Sequence, residues 1–500
     1  MRYRRLAATI VVVLLLGLVG SVAGPGWNPQ PLGHTIVPES SSTRIGSDAL
    51  TPPVGTFEVT REVVDITVDD GVTIKATIAS PVGARGERPA VLFMHGAGTA
   101  THRNFAEMTT DLASAGIVTL VPDKRSDTYT TRDRDYVAMA EDYLVSWEVL
   151  RGWPGVDPDR VGVYGESEGA MSAPIAAVEA QDVAFVVLVS APVLPIREQG
   201  ALAADTYLRD VGVSDRILRA IPRLVGAQFP GGGFDYFDFD VSPYQRRLTQ
   251  PVLMVYGTAD GSVPIVQGAV QLLEDLEVAG NEQYTIRYYE GANHGIKIGG
   301  ALAPGFTEDL ARWVQGLPQT AVAEPRIAGG QPVQQFRAAP VDHPRWYASG
   351  DMIVLTLLGG LGLLALAPLA WALGQLPRLW GRTPSTTVRP LGRYALALGL
   401  ATVATWVVFV AYLAGVADLA LNYRTNDLFV QGGWLAVQGV GILAATMLVM
   451  TVAAALRQAR ALRGSAVMGR AGWAAVGSAV CGSVVLLATA AYWGVYPAVL

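Results

Sequence analysis

Five hundred residues are more than one ordinary domain holds, so at least two units are expected. The formal net charge of −6 gives no basic excess, which argues against nucleic-acid binding. One cysteine, Cys481, rules out an intramolecular disulfide, so an exported part would rest on its core alone.

The N-terminus reads Met1-Arg2-Tyr3-Arg4-Arg5, then an apolar run from Leu6 to Ala23. Basic residues ahead of an apolar stretch mark an export signal or an N-terminal membrane anchor over 1–23, with the arginines kept inside. Ser21-Val22-Ala23 supplies the small residues a signal peptidase needs, and both readings place the next domain outside. Residues 24–56 are rich in Pro, Gly, Ser and Thr and read as a linker. Alternation from Phe57 to Ser80, broken at Asp69-Asp70-Gly71, predicts a β-hairpin. Short apolar strands then alternate with helical stretches: Ala90–Met94, Val118–Pro122, Val161–Tyr164, Phe185–Ser190, Val252–Tyr256 and Tyr284–Tyr289. That alternation implies a mostly parallel sheet with helices on both faces, an α/β domain over 57–317. Residues 192–250, with a helical stretch near Ala201–Val225 and the segment Phe234 to Phe239, form a longer insertion that reads as a small lid. An amphipathic helix, Thr307–Leu317, closes the domain, and 318–350 reads as a second linker.

Four charge-free apolar runs follow, Met352–Leu373, Tyr394–Val416, Trp434–Leu456 and Trp473–Tyr496, in a transmembrane region over 351–500. Each is near the about 20 residues that cross a bilayer. Cys481 sits within the last run and reads as a packing residue. Arg378, Arg382, Arg389 and Arg393 lie between the first two runs, and Arg457, Arg460, Arg463 and Arg470 between the last two. Excess arginine stays cytoplasmic, so the α/β domain is expected on the extracytoplasmic side of the cell membrane, in agreement with the N-terminus.

Gly165-Glu166-Ser167-Glu168-Gly169 sits between a strand and a helix, the required setting of the Gly-x-Ser-x-Gly nucleophile elbow. A serine hydroxyl needs a base. Of five histidines, His34 and His343 lie in the linkers and His95 and His102 precede the serine, which leaves His294, in Asn293-His294-Gly295, after the last of these strands and able to return over the elbow. The orienting acid is expected at the C-terminal end of the strand Val252–Tyr256, which points to Asp260; Asp238 and Asp240 precede that strand and are weaker candidates. His95-Gly96-Ala97-Gly98 follows the strand Ala90–Met94 and offers a backbone N–H to an oxyanion, assigned to Ala97 with Gly96 and Gly98 as neighbours; the second donor is the N–H of Glu168.

Residues 57–317 resemble the α/β-hydrolase superfamily, most closely bacterial serine esterases with a Ser-Glu-Gly elbow. The matching pieces are His95 to Gly98, His102-Arg103-Asn104, Asp123-Lys124-Arg125, Gly165 to Ala170, Gly257 to Asp260 and Asn293 to Gly295. Dienelactone hydrolases and the prolyl-oligopeptidase-like and S33 peptidases are neighbouring families. The chain departs from the esterases in carrying Glu166 where histidine is common and Ser126 where glycine is usual. Asp123-Lys124-Arg125 either lines the pocket or forms a structural ion pair. The resemblance implies two-step acyl transfer through Ser167, Asp260 and His294 on a small or lipid-like acyl substrate. No metal or cofactor is expected, since Cys and His clusters at ligand spacing are missing. A serine peptidase, an envelope acyltransferase, and a membrane sensor or transporter with a hydrolase-fold binding module are the rival readings.

Overall fold

The computed structural model describes residues 2–23, 29–46, 51–130, 132–213, 234–341, 345–381, 391–422, 424–461 and 468–497. The chain divides into two compact units. One comprises Pro29–Ala203 and Phe234–Pro340; the other comprises Met1–Asn28, Ala204–Gly233 and Val341–Leu500.

The first unit is built on a nine-stranded sheet. Its strands are β1 (Val59–Asp69), β2 (Val72–Pro81), β3 (Arg88–Met94), β4 (Val118–Pro122), β5 (Val156–Glu166), β6 (Val186–Val189), β7 (Val252–Gly257), β8 (Tyr284–Tyr289) and β9 (Ile327–Gly329). They lie in the order β1-β2-β4-β3-β5-β6-β7-β8-β9. The β1–β2 hairpin is antiparallel and β2 meets β4 antiparallel; every other pair in this sheet is parallel. The connecting helices supply the apolar cover that a parallel sheet needs on both faces. Alternate residues of β3 show the division. Ala90, Leu92 and Met94 pack into the core shared with Trp147, Ile175 and Leu272, whereas Val91 and Phe93 pack with Leu112, Leu310 and Trp313. Those side chains come from α3 (Tyr136–Arg151), α4 (Gly169–Glu179) and α6 (Gln267–Ala279) on one face, and from α2 (Ala106–Ser114) and α7 (Phe306–Gly316) on the other.

Both stretches read as linkers depart from that expectation. Ile36 and Ile45 are buried, Ser40 bridges Ala328, and Pro31 bridges Phe336. The buried Arg287 guanidinium donates to the carbonyls of Thr43, Pro325 and Arg326, which cross-links the N-terminal segment to the edge strand β9. Pro-rich extended backbone carries no periodicity, so pairing along a sheet edge leaves no mark in the sequence pattern.

Between β6 and β7 lie the helix α5 (Ile196–Asp210), a 3-10 turn (Asp235–Asp238) and a short helix (Ser242–Gln245). The part of the expected lid helix beyond Val213 falls outside the described residues. Arg197 grips Asp238 at 2.6 and 2.9 Å, and Phe239 packs edge-on against Tyr136 with ring centroids 5.0 Å apart.

The second unit gathers α1 (Arg2–Val22) with α8 (Gly350–Leu373), α9 (Leu391–Leu421), α10 (Gly433–Ala461) and α11 (Arg470–Tyr492). Among the described residues, five helices are long and apolar enough to cross a membrane. Small residues let two pairs of them approach closely. A Cβ on Gly482 of α11 would meet the Gly360 carbonyl oxygen of α8 at 2.8 Å, and one on Gly20 of α1 would meet that of Ala491 at 2.3 Å. Thr402 and Ser483 hydrogen-bond between α9 and α11. Tyr347, just ahead of α8, donates to the Ala23 carbonyl at 2.9 Å. Cys481 is exposed rather than packed. Of the loop arginines, Arg382, Arg389 and Arg463 lie outside the described residues.

Candidate active site

Three loops at the C-terminal ends of β5, β7 and β8 converge. At the end of β5 the backbone turns sharply enough to put Ser167 at φ +52°. A non-glycine residue in that region is strained, and it is held there by a hydrogen bond from its own N–H to Val189 of the neighbouring strand, 2.8 Å. The flanking glycines are required by contact. A Cβ on Gly169 would sit 2.4 Å from the Met94 carbonyl oxygen, and one on Gly165 would sit 2.6 Å from that of Gly169.

The loop after β7 presents Asp260. One carboxylate oxygen accepts the Ser262 N–H at 2.8 Å; the other lies 2.8 Å from His294 Nδ1. The loop after β8 carries His294, whose Nε2 lies 2.8 Å from Ser167 Oγ. A carboxylate only accepts, so Nδ1 holds the proton and Nε2 faces the serine as the acceptor. The two loops are tied together: Thr258 Oγ1 accepts the Gly291 N–H and the Ala292 carbonyl accepts the Ala259 N–H. Burial favours the neutral imidazole, but the hydrogen bond and charge of Asp260, with the charge of Glu166, outweigh it and hold the His294 pKa above its ordinary 6.5.

All three residues singled out from sequence therefore meet at hydrogen-bond distance. Their competitors are occupied elsewhere. Asp238 pairs with Arg197, and Asp240 caps the Ser242 N–H. His95 is buried, pushed down to about 4 by desolvation, with Nε2 2.6 Å from the Pro122 carbonyl. His102 is bound to Asp123 at 2.7 Å and His343 lies outside the described residues. On the oxyanion side, the Gly98 N–H is taken by Tyr129 Oη at 2.8 Å, whereas those of Ala97 and Glu168 have no hydrogen-bond partner among the described residues. That removes Gly98 from the candidates. An ideal Cβ on Gly96 lies 3.4 Å from Ser167 Cβ, which puts this loop directly against the serine.

A mostly parallel sheet of this order, with a strained serine turn after β5 and the acid and histidine following on β7 and β8, is the α/β-hydrolase arrangement. A model of the prolyl oligopeptidase family matches residues 232–318, the stretch holding Asp260 and His294. The first unit has the α/β-hydrolase fold.

No curated protein shows significant sequence similarity to this chain. Among solved structures, dipeptidyl peptidase 4 of Porphyromonas gingivalis is 19% identical with a TM-score of 0.35, covering 48% of this chain and 33% of its own. Est1E from Butyrivibrio proteoclasticus is 17% identical with a TM-score of 0.36, covering 52% of this chain and 98% of its own. A cold-adapted esterase from an Arctic intertidal metagenomic library is 15% identical with a TM-score of 0.34, covering 54% of this chain and 99% of its own. The chain thus spans about a third of the peptidase's length.

Beside the serine turn a cavity of about 420 Å³ is lined by Gly96, Ala97, Asn104, Phe105, Glu107, Glu166, Gly295 and Lys297, among others. That volume lies within the range of small-molecule sites. Glu166 accepts from Tyr164 Oη at 3.2 Å; burial pushes its carboxyl upward, against the opposing pull of His294 and Lys297. Ser190 was missed in the sequence. It sits at φ +48° at the end of β6 and donates to the His294 carbonyl at 2.6 Å, holding the histidine loop from below. Its place at a C-terminal strand end was the available signal.

Proposed function

We propose that this chain is a serine hydrolase that cleaves carboxylic esters through an acyl-enzyme on Ser167. The observation that carries the reading is the unbroken relay Asp260–His294–Ser167, 2.8 Å at each link. In the first step Ser167 Oγ adds to the substrate carbonyl carbon while His294 Nε2 takes its proton. The N–H groups of Ala97 and Glu168 receive the oxyanion, and Asp260 stabilises the imidazolium. Collapse breaks the bond to the leaving alcohol, which departs with the proton from His294. Water, deprotonated by the same imidazole, then adds to the acyl carbon; the acid leaves and Ser167 regains its proton. Every step uses groups of the chain, the ester and water.

Replacing Ser167 with Ala is expected to lower hydrolysis of a short p-nitrophenyl ester at least about 10³-fold, as loss of the nucleophile does in other triads. Wild-type turnover in S167A would remove Ser167 from the chemistry. The prolyl oligopeptidase match favours one second reading, a peptidase on the same scaffold. Rates on small esters and on aminoacyl amides, measured side by side, separate the two. We also place the catalytic unit outside the cytoplasm, anchored by the apolar helices.

A further inference from the structure

A buried polar cluster lies under the N–H groups of Ala97 and Glu168, neither of which has a partner among the described residues, and the acyl-transfer steps above leave it unused. Its centre is the Glu168 side chain, only 3% exposed, from the residue whose backbone supplies one of those N–H groups. One carboxylate oxygen accepts from Lys124 Nζ at 2.5 Å and from Tyr129 Oη at 2.9 Å; the other accepts from Arg134 at 2.6 Å. Lys124 Nζ also donates to the Gly96 carbonyl at 2.9 Å and lies 4.0 Å from the centre of the Tyr129 ring. Tyr129 Oη in turn accepts the Gly98 N–H.

The peptide plane gives these contacts their meaning. The Gly96 carbonyl and the Ala97 N–H belong to one planar trans amide, so they point in opposite directions. An ammonium fixed on the carbonyl therefore aims the N–H away from Lys124. Amide resonance also carries part of that cationic pull to the nitrogen and makes the N–H a stronger donor. Tyr129 fixes the following peptide by its N–H. Burial pushes the Tyr129 hydroxyl up to about 12, so it stays protonated and donates to Glu168 across the working pH range.

We propose that Lys124, Tyr129 and the Glu168 carboxylate are positioning residues that join the two halves of the oxyanion hole into one rigid piece. This rests on the acyl-enzyme reading of Ser167. Stability alone is a weak reason for such a cluster, because a buried ion pair seldom outperforms well-packed apolar side chains. The geometric return is larger: donors must be aimed at the place where charge develops.

The test uses the full chain in detergent, with Tyr129→Phe and Lys124→Met. For each, kcat and KM on a p-nitrophenyl ester are compared with the inhibition constant of a trifluoromethyl ketone, whose adduct on Ser167 carries the oxyanion. Loss of one donor costs about 10²- to 10³-fold, so misaiming one is expected to cost about 10- to 100-fold in kcat for K124M and about 5-fold for Y129F. KM should stay within about twofold, and the ketone should weaken by the same factor as kcat. Tyr129 is only partly buried, so Y129F remains decisive if K124M does not fold. A folded variant with unchanged kcat and ketone affinity overturns the proposal, whatever happens to its melting temperature. A wild-type chain that neither turns over nor forms the adduct overturns the Ser167 reading instead.

Discussion

His294 feels two carboxylates, Asp260 at 2.8 Å and, through its charge, Glu166. Both stabilise the imidazolium, which cannot accept the serine proton. Activity is therefore expected to fall as pH drops through the raised His294 pKa, above 6.5, and to be full well above it. Glu166→Gln removes one of the two charges and lowers that pKa. The acid limb of kcat/KM against pH should then move to lower pH, with the alkaline plateau little changed. An unmoved limb would show that Glu166 does not sense the imidazole. Ser167, Asp260 and His294 were legible because each sits in a short motif at a strand end, in the chain order of the fold. Tyr129 and Ser190 were not assigned roles, and Lys124 was expected to line the pocket or form an ion pair without its partner being named, because the partners lie 104 residues away for Ser190 and 44 and 39 for the Lys124 and Tyr129 links to Glu168. No local pattern records such distances.

Among the elements, the turn from β5 into α4 is the least tolerant of change. Gly169→Ala would drive a Cβ into the Met94 backbone, which has no side chain to swing aside. We expect a loss of about 2 kcal/mol or more in thermal or denaturant unfolding. Gly200→Ala on the exposed face of α5 meets nothing within 4 Å and should be neutral or stabilising by up to about 1 kcal/mol. Equal effects at the two positions would contradict the close approach at the elbow. The six apolar strands were readable because their length and flanking turns are strong signals, and Val118–Pro122 and Tyr284–Tyr289 begin and end as expected. The three-residue strand β9 was not readable. It has no period to detect and is held by the hydrogen bonds of Arg287 and by pairing with β8.

At the scale of the whole molecule, the apolar unit contains an internal check on topology. Tyr347 reaches Ala23 at the end of α1, and Gly20 meets Ala491 at the end of α11, so these termini share one end of the bundle. Near the start of α1, Arg5 reaches Met450 in the second half of α10. Helix directions of this kind fit helices that alternate in direction, and they are the same whichever end of the bundle faces the cytoplasm. In the proposed topology, a membrane-impermeant fluorophosphonate should label Ser167 in intact cells. Labelling that appears only after lysis would reverse the sidedness. Sequence patterning was sufficient to find the helices but silent on how α1 is used. Its packing depends on Gly20 meeting a helix more than 450 residues further along the chain.

That α1 packs with the C-terminal helices has a bearing on shedding. The first unit takes in Pro29–Ala203 and Phe234–Pro340, so in sequence the second unit's segments precede it, interrupt it and follow it. A leader peptidase cutting after Ala23 would sever one attachment and leave the others. In the proposed membrane topology, one cut after Ala23 would therefore not by itself release the first unit.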